Sequence, residues 1–447
     1  MSSETAGSDV SSIRAQVKLS HGMLPVGRPG RLWALVTLSA DKAAIAGSGG
    51  EAKVKRLPVN INVVLDRSSS MAGQPLEQVK QAAKFLVEQV GADDFMSVTV
   101  FDHYVDTVFP AQRVVNKDLL KAAIHSIEEG WSTNLSGGLL RGYEEALKEC
   151  RQGQVNRVLL LTDGMANVGI TDPATLSAKA RALLEKNVSL STIGVGLHFN
   201  EDLLIALADA GNGSYYYVKS AEQIPNVFAA ELKGLLSVVA QGIALKVDGL
   251  SGCRVTMVYG YEPSFTDNGA SLSLPDMFRD EEKRLVVELS YPALPGGEHP
   301  LLRLSLSYAD ACRTLAHTSL EITAKLVATA DVSEPHEPDF EVIKVVELTR
   351  TATAKDRIAE AMDRGDYSQA QNIVEERLSV LESLAQAERA DDEALHEEIA
   401  TLRQLDMGRL KDADDSLVAE TRKDLRSQSY QVMRGQSNYR SPKQAGD

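Results

Sequence analysis

Apolar and polar residues alternate with a period of two near the start of the chain. Ile13-Arg-Ala-Gln-Val-Lys-Leu19 and Leu32-Trp-Ala-Leu-Val-Thr-Leu38 read as β-strands, with a Gly/Pro turn region from Gly22 to Gly30 between them. Residues 1–12 are small and polar, lack periodicity and read as disordered. Residues 40–52, rich in Ala, Gly and Ser, read as a flexible loop. From Leu57 onward the pattern changes. Short apolar runs predict strands over 59–65, 95–101, 158–161, 188–195 and 213–218. Helical spacing predicts helices over 76–90, 119–127, 135–150, 174–185, 201–210 and 224–239. Residues 107–109 fit an antiparallel edge. This alternation predicts an α/β fold, a doubly wound and mostly parallel sheet with helices on both faces. Ligands of such sheets bind at the carboxyl ends of the strands.

Beyond Ala240 the helical spacing stops. Strands are predicted over 242–247, 254–259, 284–289, 301–308 and 316–326, separated by Gly and Pro turns, which is the pattern of a β-sandwich. The two early strands have no partners of their own, so they are expected to complete this sandwich, with the doubly wound domain inserted between. Pro335-His-Glu-Pro338 marks a linker. Helical spacing then runs from Phe340 to about Gln428. Within it Ala361-Met-Asp-Arg-Gly-Asp-Tyr-Ser resembles the turn of a tetratricopeptide-like helix hairpin, without a repeat array. The expected division is 1–12 disordered, 13–56 strands completing the sandwich, 57–240 the doubly wound domain, 241–330 the sandwich, 331–428 a helical region and 429–447 a flexible tail, in which Tyr430 and Met433 could dock.

Composition narrows the setting. At 447 residues the chain is too long for one core. No apolar run approaches the roughly 20 residues of a membrane helix, and the polar N-terminus lacks the layout of a signal peptide. Three widely spaced cysteines give neither a disulfide framework nor a metal spacing. These features predict a cytoplasmic protein without membrane insertion. A net charge of -15 disfavours nucleic acid as a partner.

The candidate chemistry lies in three segments. Ile61-Asn-Val-Val-Leu-Asp-Arg-Ser-Ser-Ser-Met71 ends an apolar run in Asp66, with Ser68 and Ser70 at alternate positions after it. Thr133 lies in Gly130-Trp-Ser-Thr-Asn-Leu-Ser-Gly-Gly138. Asp163 ends the apolar run of Val158-Leu-Leu-Leu-Thr-Asp-Gly164. Carboxylates and hydroxyls are hard oxygen donors, suited to Mg²⁺ or Mn²⁺ rather than zinc or copper. Two acids neutralise a dication, and hydroxyls and water fill further positions without adding charge.

This set resembles the metal-ion-dependent adhesion site of the von Willebrand factor A (VWA) family, whose motif is Asp-x-Ser-x-Ser, then a Thr, then an Asp. Many relatives carry Gly where this chain has Ser69, between the two serines. The resemblance implies a VWA fold, Rossmann-like, and several bacterial VWA-containing proteins resemble the inserted layout. It also implies that Asp66, Ser68, Ser70, Thr133 and Asp163 hold the metal, directly or through water. One coordination position stays open for a Glu or Asp carboxylate of a protein partner.

Neighbouring residues carry plainer expectations. Asp102 and His103 follow a strand and could flank the cleft, but the preferred reading is solvated turn residues; Asn134 and Ser136 are read as helix caps, Asn167 as a turn residue that could rim the site, and His198 as a loop residue. Tyr215-Tyr-Tyr217 fits a strand serving both sheet faces. Arg364-Gly-Asp366 falls in a helix–helix turn and is read as a chance match to an integrin-recognition triplet. Three functions fit: a non-enzymatic Mg²⁺-dependent adhesion or adaptor module, a VWA subunit of a larger ATPase-type assembly, and a metal-dependent hydrolase. The last has least behind it. The sequence shows no Ser–His–Asp signature, no Gly-x-Ser-x-Gly, no His-Glu-x-x-His and no P-loop. Partner identity and oligomeric state stay open.

Overall fold

The computed structural model describes residues 3–6, 11–40, 56–313, 315–330, 338–388 and 392–435. The apolar run Val59–Asp66 is buried along its whole length because it lies near the middle of a six-stranded sheet, with both faces covered. The strand order is Asn212–Val218, Ser189–Val195, Val155–Thr162, Val59–Asp66, Phe95–Phe101 and Val105–Arg113. All neighbours are parallel except the last pair, where Val105–Arg113 closes the edge antiparallel. Period-two alternation divides the strand between two cores: Val63 and Leu65 face one helix layer, Val64 the other. The first layer is Gln74–Gln89, Lys117–His125 and Ile224–Leu235. The second is Leu135–Lys148, Pro173–Leu184 and Glu201–Ala210. Asn116, Asn134, Asp172 and Asn200 each cap a helix by accepting a backbone N–H, so these starts are written locally in the chain.

Two further sheets share one hydrophobic core and form the sandwich. One is ordered Ser3–Ala6, Ile13–Leu19, Gly30–Ala40, Glu282–Tyr291 and Arg254–Val258. The other is ordered Ser264–Phe265, Gly269–Leu274, Val238–Gly249, Gly297–Asp310, Ala316–Thr329 and Met23–Pro25. Gly30–Ala40 pairs antiparallel with Glu282–Tyr291, Leu35 opposite Val286. The doubly wound sheet is thus inserted between the early and the late strands of the sandwich.

Several expectations need correction. Residues 1–12 are not wholly disordered: Ser3–Ala6 pairs with Ala15–Lys18, and Ser11 and Ser12 are buried. Their partners are remote in sequence. The Ser11 hydroxyl lies 2.6 Å from the Tyr308 hydroxyl, and the Ser12 N–H donates to Asp310 Oδ2 at 3.3 Å. The helix expected to reach Val239 ends at Leu235. From Val238 the chain is a strand paired on both sides, and that pairing outweighs the helical spacing. The short strands 23–25, 264–265, 269–274 and 277–278 add to the expected ones. The tail does not begin at 429, because the last helix is Asp415–Met433, with Ser429 and Tyr430 buried. Residues 41–52 of the expected loop, residues 335–337 of the linker and residues 436–447 of the tail lie outside the described residues.

The C-terminal region is helical: Phe340–Asp363, Tyr367–Glu388, Glu393–Arg403, Met407–Lys411 and Asp415–Met433. The Arg364-Gly-Asp366 triplet does sit in a helix–helix turn, with Gly365 at φ 71° and Asp366 accepting the N–H of Gln369. Val342 and Val346 pack on Leu35 and Val286 of the sandwich, and Arg350 stacks 4.9 Å from the Trp33 ring. The final helix returns to the inserted domain, where Tyr430 enters the core beside Tyr215 and Tyr217. Among the described residues no helix is long and apolar enough to cross a membrane.

Candidate metal centre

Asp66 and Asp163 leave adjacent parallel strands at the same end of the sheet. Val59–Asp66 ends in the first acid, and Val155–Thr162 ends one residue before the second. The turn after Asp66 is tight: the Ser68 N–H donates to Asp66 Oδ1 at 2.8 Å. Thr162 holds the other oxygen, its hydroxyl donating to Asp66 Oδ2 at 2.5 Å. The Ser68 and Ser70 hydroxyls lie 3.1 Å apart, and Ser70 Oγ donates to Asp163 Oδ1 at 2.7 Å. Asp66, Ser68, Ser70 and Asp163 therefore form one continuous polar chain.

Thr133 reaches the group from a third loop. A Cβ added to Gly164 would lie only 3.0 Å from Thr133 Oγ1, so the missing side chain at 164 lets the threonine come up against the Asp163 loop. Asn167 fixes this approach: the Thr133 N–H donates to Asn167 Oδ1 at 3.1 Å, and the Asn167 N–H returns to the Thr133 carbonyl at 3.3 Å. All five residues singled out by sequence are thus brought to one end of the sheet.

Desolvation dominates the electrostatics of the two acids. Burial raises the Asp66 carboxyl to about 6, against hydrogen bonds from Ser68 and Thr162, and nearby Asp163 adds to the rise. Burial also raises Asp163, opposed by Ser70 and by His198. Desolvated carboxylates and converging hydroxyls fit a hard dication, which would relieve this strain by charge neutralisation. Among the described residues no group of three or more His, Cys, Asp or Glu gathers as a metal site.

One supporting residue was misread. Asp102 is 3% exposed, not solvated. Its carboxylate accepts the N–H groups of Tyr104 at 3.0 Å and Trp131 at 3.3 Å and pairs with Arg67 at 3.3 Å, while its carbonyl accepts the Asn134 N–H. It locks the loops carrying Thr133 and the serines together. The available signal was its place directly after the buried run Phe95–Phe101, the position Asp66 holds after its own strand. Asn134 caps its helix as expected, but Ser136 does not: its hydroxyl accepts the Ile170 N–H at 2.8 Å.

Comparison with known proteins agrees with this geometry. Residues 60–230 match the family model of the von Willebrand factor type A domain. These residues of the chain form a VWA domain. The chain is 28% identical over 333 residues to the uncharacterized protein sll0103 of Synechocystis, covering 72% of this chain and 78% of that one. It is 32% identical over 199 residues to the uncharacterized protein YfbK of Escherichia coli, covering 44% of this chain and 35% of YfbK. Human inter-alpha-trypsin inhibitor heavy chain H3 is 31% identical over 165 residues, 35% of this chain and 18% of the relative. The chain thus spans about a third of YfbK and under a fifth of the heavy chain. Among solved structures, a von Willebrand factor type A protein from Catenulispora acidiphila superposes with TM-score 0.71 at 17% identity, over 95% of this chain and 98% of that one. The ArnB paralog VWA2 from Sulfolobus acidocaldarius gives 0.62 at 19% identity over the same shares. The fold is shared along nearly the whole chain, sandwich and C-terminal helices included.

Proposed function

We propose that this chain is a non-enzymatic, Mg²⁺-dependent protein-binding module, an adhesion or adaptor protein. Asp66, Ser68, Ser70, Thr133 and Asp163 hold one Mg²⁺ or Mn²⁺ ion. The polar chain from Asp66 through Ser68 and Ser70 to Asp163 carries the reading, because it gathers oxygen donors and buried negative charge at the end of the sheet where VWA folds and other doubly wound sheets bind ligands. When bound, the ion supplies an electrophilic position that a Glu or Asp side chain of a protein partner can fill. The chain's own residues do the rest. Asp66 and Asp163 supply charge, Thr162 and the Ser68 N–H fix the Asp66 rotamer, and Asn167 and Asp102 hold the Thr133 loop in place.

Catalysis is no part of this reading. Beside the candidate centre, Ser132 Oγ and His103 Nδ1 lie 3.4 Å apart, and His103 is exposed. The three free cysteines support a reducing, cytoplasmic setting.

Calorimetry tests the proposal. Wild-type protein should take up one Mg²⁺ per chain. Asp66→Ala and Asp163→Ala should each weaken it beyond the roughly 10- to 100-fold typical of outer-shell changes. Unchanged affinity in both variants would refute the site. Capture of a protein partner should require Mg²⁺, fail in EDTA and weaken in Thr133→Ala.

A further inference from the structure

Three large apolar side chains stand exposed on the loops around the candidate centre. Trp131 is the most exposed large apolar side chain among the described residues, at 80%; Tyr104 is exposed at 68% and Met165 at 52%. Each sits on a different loop, Trp131 two residues from Thr133, Tyr104 two from Asp102 and Met165 two from Asp163. The Trp131 and Tyr104 backbones are fixed. The Trp131 N–H donates to Asp102 Oδ2, and its carbonyl accepts the Ser69 N–H at 3.0 Å. The Tyr104 N–H donates to Asp102 Oδ1, and the Tyr104 ring stands edge-on to His103 at 5.0 Å. Met165 follows Gly164, whose N–H is held by Thr162 Oγ1 at 3.2 Å. The loops are ordered while their large side chains stay in water, so a partner burying them would have little backbone ordering to offset.

Charge decides what would cover this rim. Arg67, the guanidinium beside it, is engaged by Asp102 and Asp106. The proposed ion is then the centre's attraction for an acid, and the acid must arrive among apolar side chains. We propose that the rim formed by Tyr104, Trp131 and Met165 selects a protein segment in which an Asp or Glu is flanked by large apolar side chains. This rests on the metal-site reading above. Excluding water around the carboxylate strengthens its bond to the ion, and the flanking side chains bury against the indole and the thioether.

Three capped peptides test this by calorimetry in Mg²⁺: acetyl-Gly-Leu-Asp-Phe-Gly-amide, its Ser-Asp-Ser counterpart and its Leu-Asn-Phe counterpart. Wild-type protein should bind the Leu-Asp-Phe peptide at least about tenfold more tightly than the Ser-Asp-Ser peptide, and the Asn peptide hardly at all. Trp131→Ala should erase the preference while leaving the peptide-free Mg²⁺ titration unchanged. Met165→Ala provides a second variant should the first fold poorly. Equal affinity for the two Asp peptides, binding of neither by Mg²⁺-loaded protein, or a preference that survives both substitutions overturns the proposal. So does a Trp131-dependent dimer in sedimentation without peptide, which would assign the rim to a second copy of the chain. Failure of wild-type protein to take up Mg²⁺ strikes instead at the metal reading.

Discussion

The ammonium of Lys423 lies 3.7 Å from the centre of the Phe199 ring and donates to the Phe199 carbonyl at 2.8 Å. Lys423 belongs to the last helix, while Phe199 lies in the loop that follows the strand Ser189–Val195 and carries His198, whose charge reaches Asp163. Lys423 is fully buried and also pairs with Glu201. Burial would raise Glu201, but Lys423 and Arg422 hold it below its ordinary range, while burial pulls Lys423 below its own. The end of the chain thus clamps a loop beside the candidate centre.

Lys423→Met should release that clamp. It strips a buried carboxylate of one partner and leaves it Arg422 at 3.1 Å and Arg426 at 3.9 Å, a loss on the order of 3 kcal/mol. Hydrogen exchange in the Phe199–Glu201 loop and in Asp415–Met433 should accelerate by roughly 100-fold. Exchange rates equal to wild type would show that the helix is held by Tyr430 and the surface pairs alone.

A pH dependence follows from Asp356, which accepts the Ser429 hydroxyl at 2.7 Å between the first and last C-terminal helices. Burial raises its carboxyl from 3.8 to about 6, against that hydrogen bond, with Glu360 adding to the rise. The folded chain therefore binds the proton more tightly than the unfolded chain. Below 3.8 the group is neutral in both states and costs nothing. Stability falls as pH rises through the window up to about 6, and the whole cost remains above it. Asp356→Asn should stabilise the helical region by on the order of 2 kcal/mol at pH 7 and by nearly nothing at pH 3.5. Thermal unfolding at the two pH values measures it; a gain that is larger at the lower pH would reverse the sign and exclude the argument.

Sequence pattern reached much of this fold because buried parallel strands read as unbroken apolar runs and the acids that end them stand out. Asp66 and Asp163 were visible for that reason, and Ser68 and Ser70 followed from local spacing. Asp102, which follows such a run, was legible only as a residue that could flank the cleft: its partners Arg67, Tyr104 and Trp131 are gathered from separate loops, and a turn aspartate looks the same in sequence whether it faces them or water. Lys423 was hidden in the charged stretch Thr421-Arg-Lys-Asp424, where only tertiary packing distinguishes it from its half-buried neighbours. Ser11 and Ser12 looked like a loose terminus because Tyr308 and Asp310 satisfy them from about 300 residues away.

The support beneath Thr133 gives the last prediction. A Cβ added to Gly130 would fall 2.0 Å from Asp102 Oδ2 and 2.4 Å from its carboxyl carbon. The carboxylate would have to turn away, losing the N–H groups of Tyr104 and Trp131 and the pairing with Arg67. None of these atoms belongs to the five proposed ligands, so Gly130→Ala should leave the donor set intact but loosen the loop that presents Thr133. Mg²⁺ affinity should fall roughly 10- to 100-fold, the range of changes one layer outside the ligands. Asp102→Asn, which keeps the size and one acceptor oxygen, should cost less. Both are measured by calorimetry against the wild-type titration, with circular dichroism as the check on folding. A Gly130→Ala protein that is folded and binds Mg²⁺ as wild type does would show that Thr133 is held by Asn167 without help from Asp102.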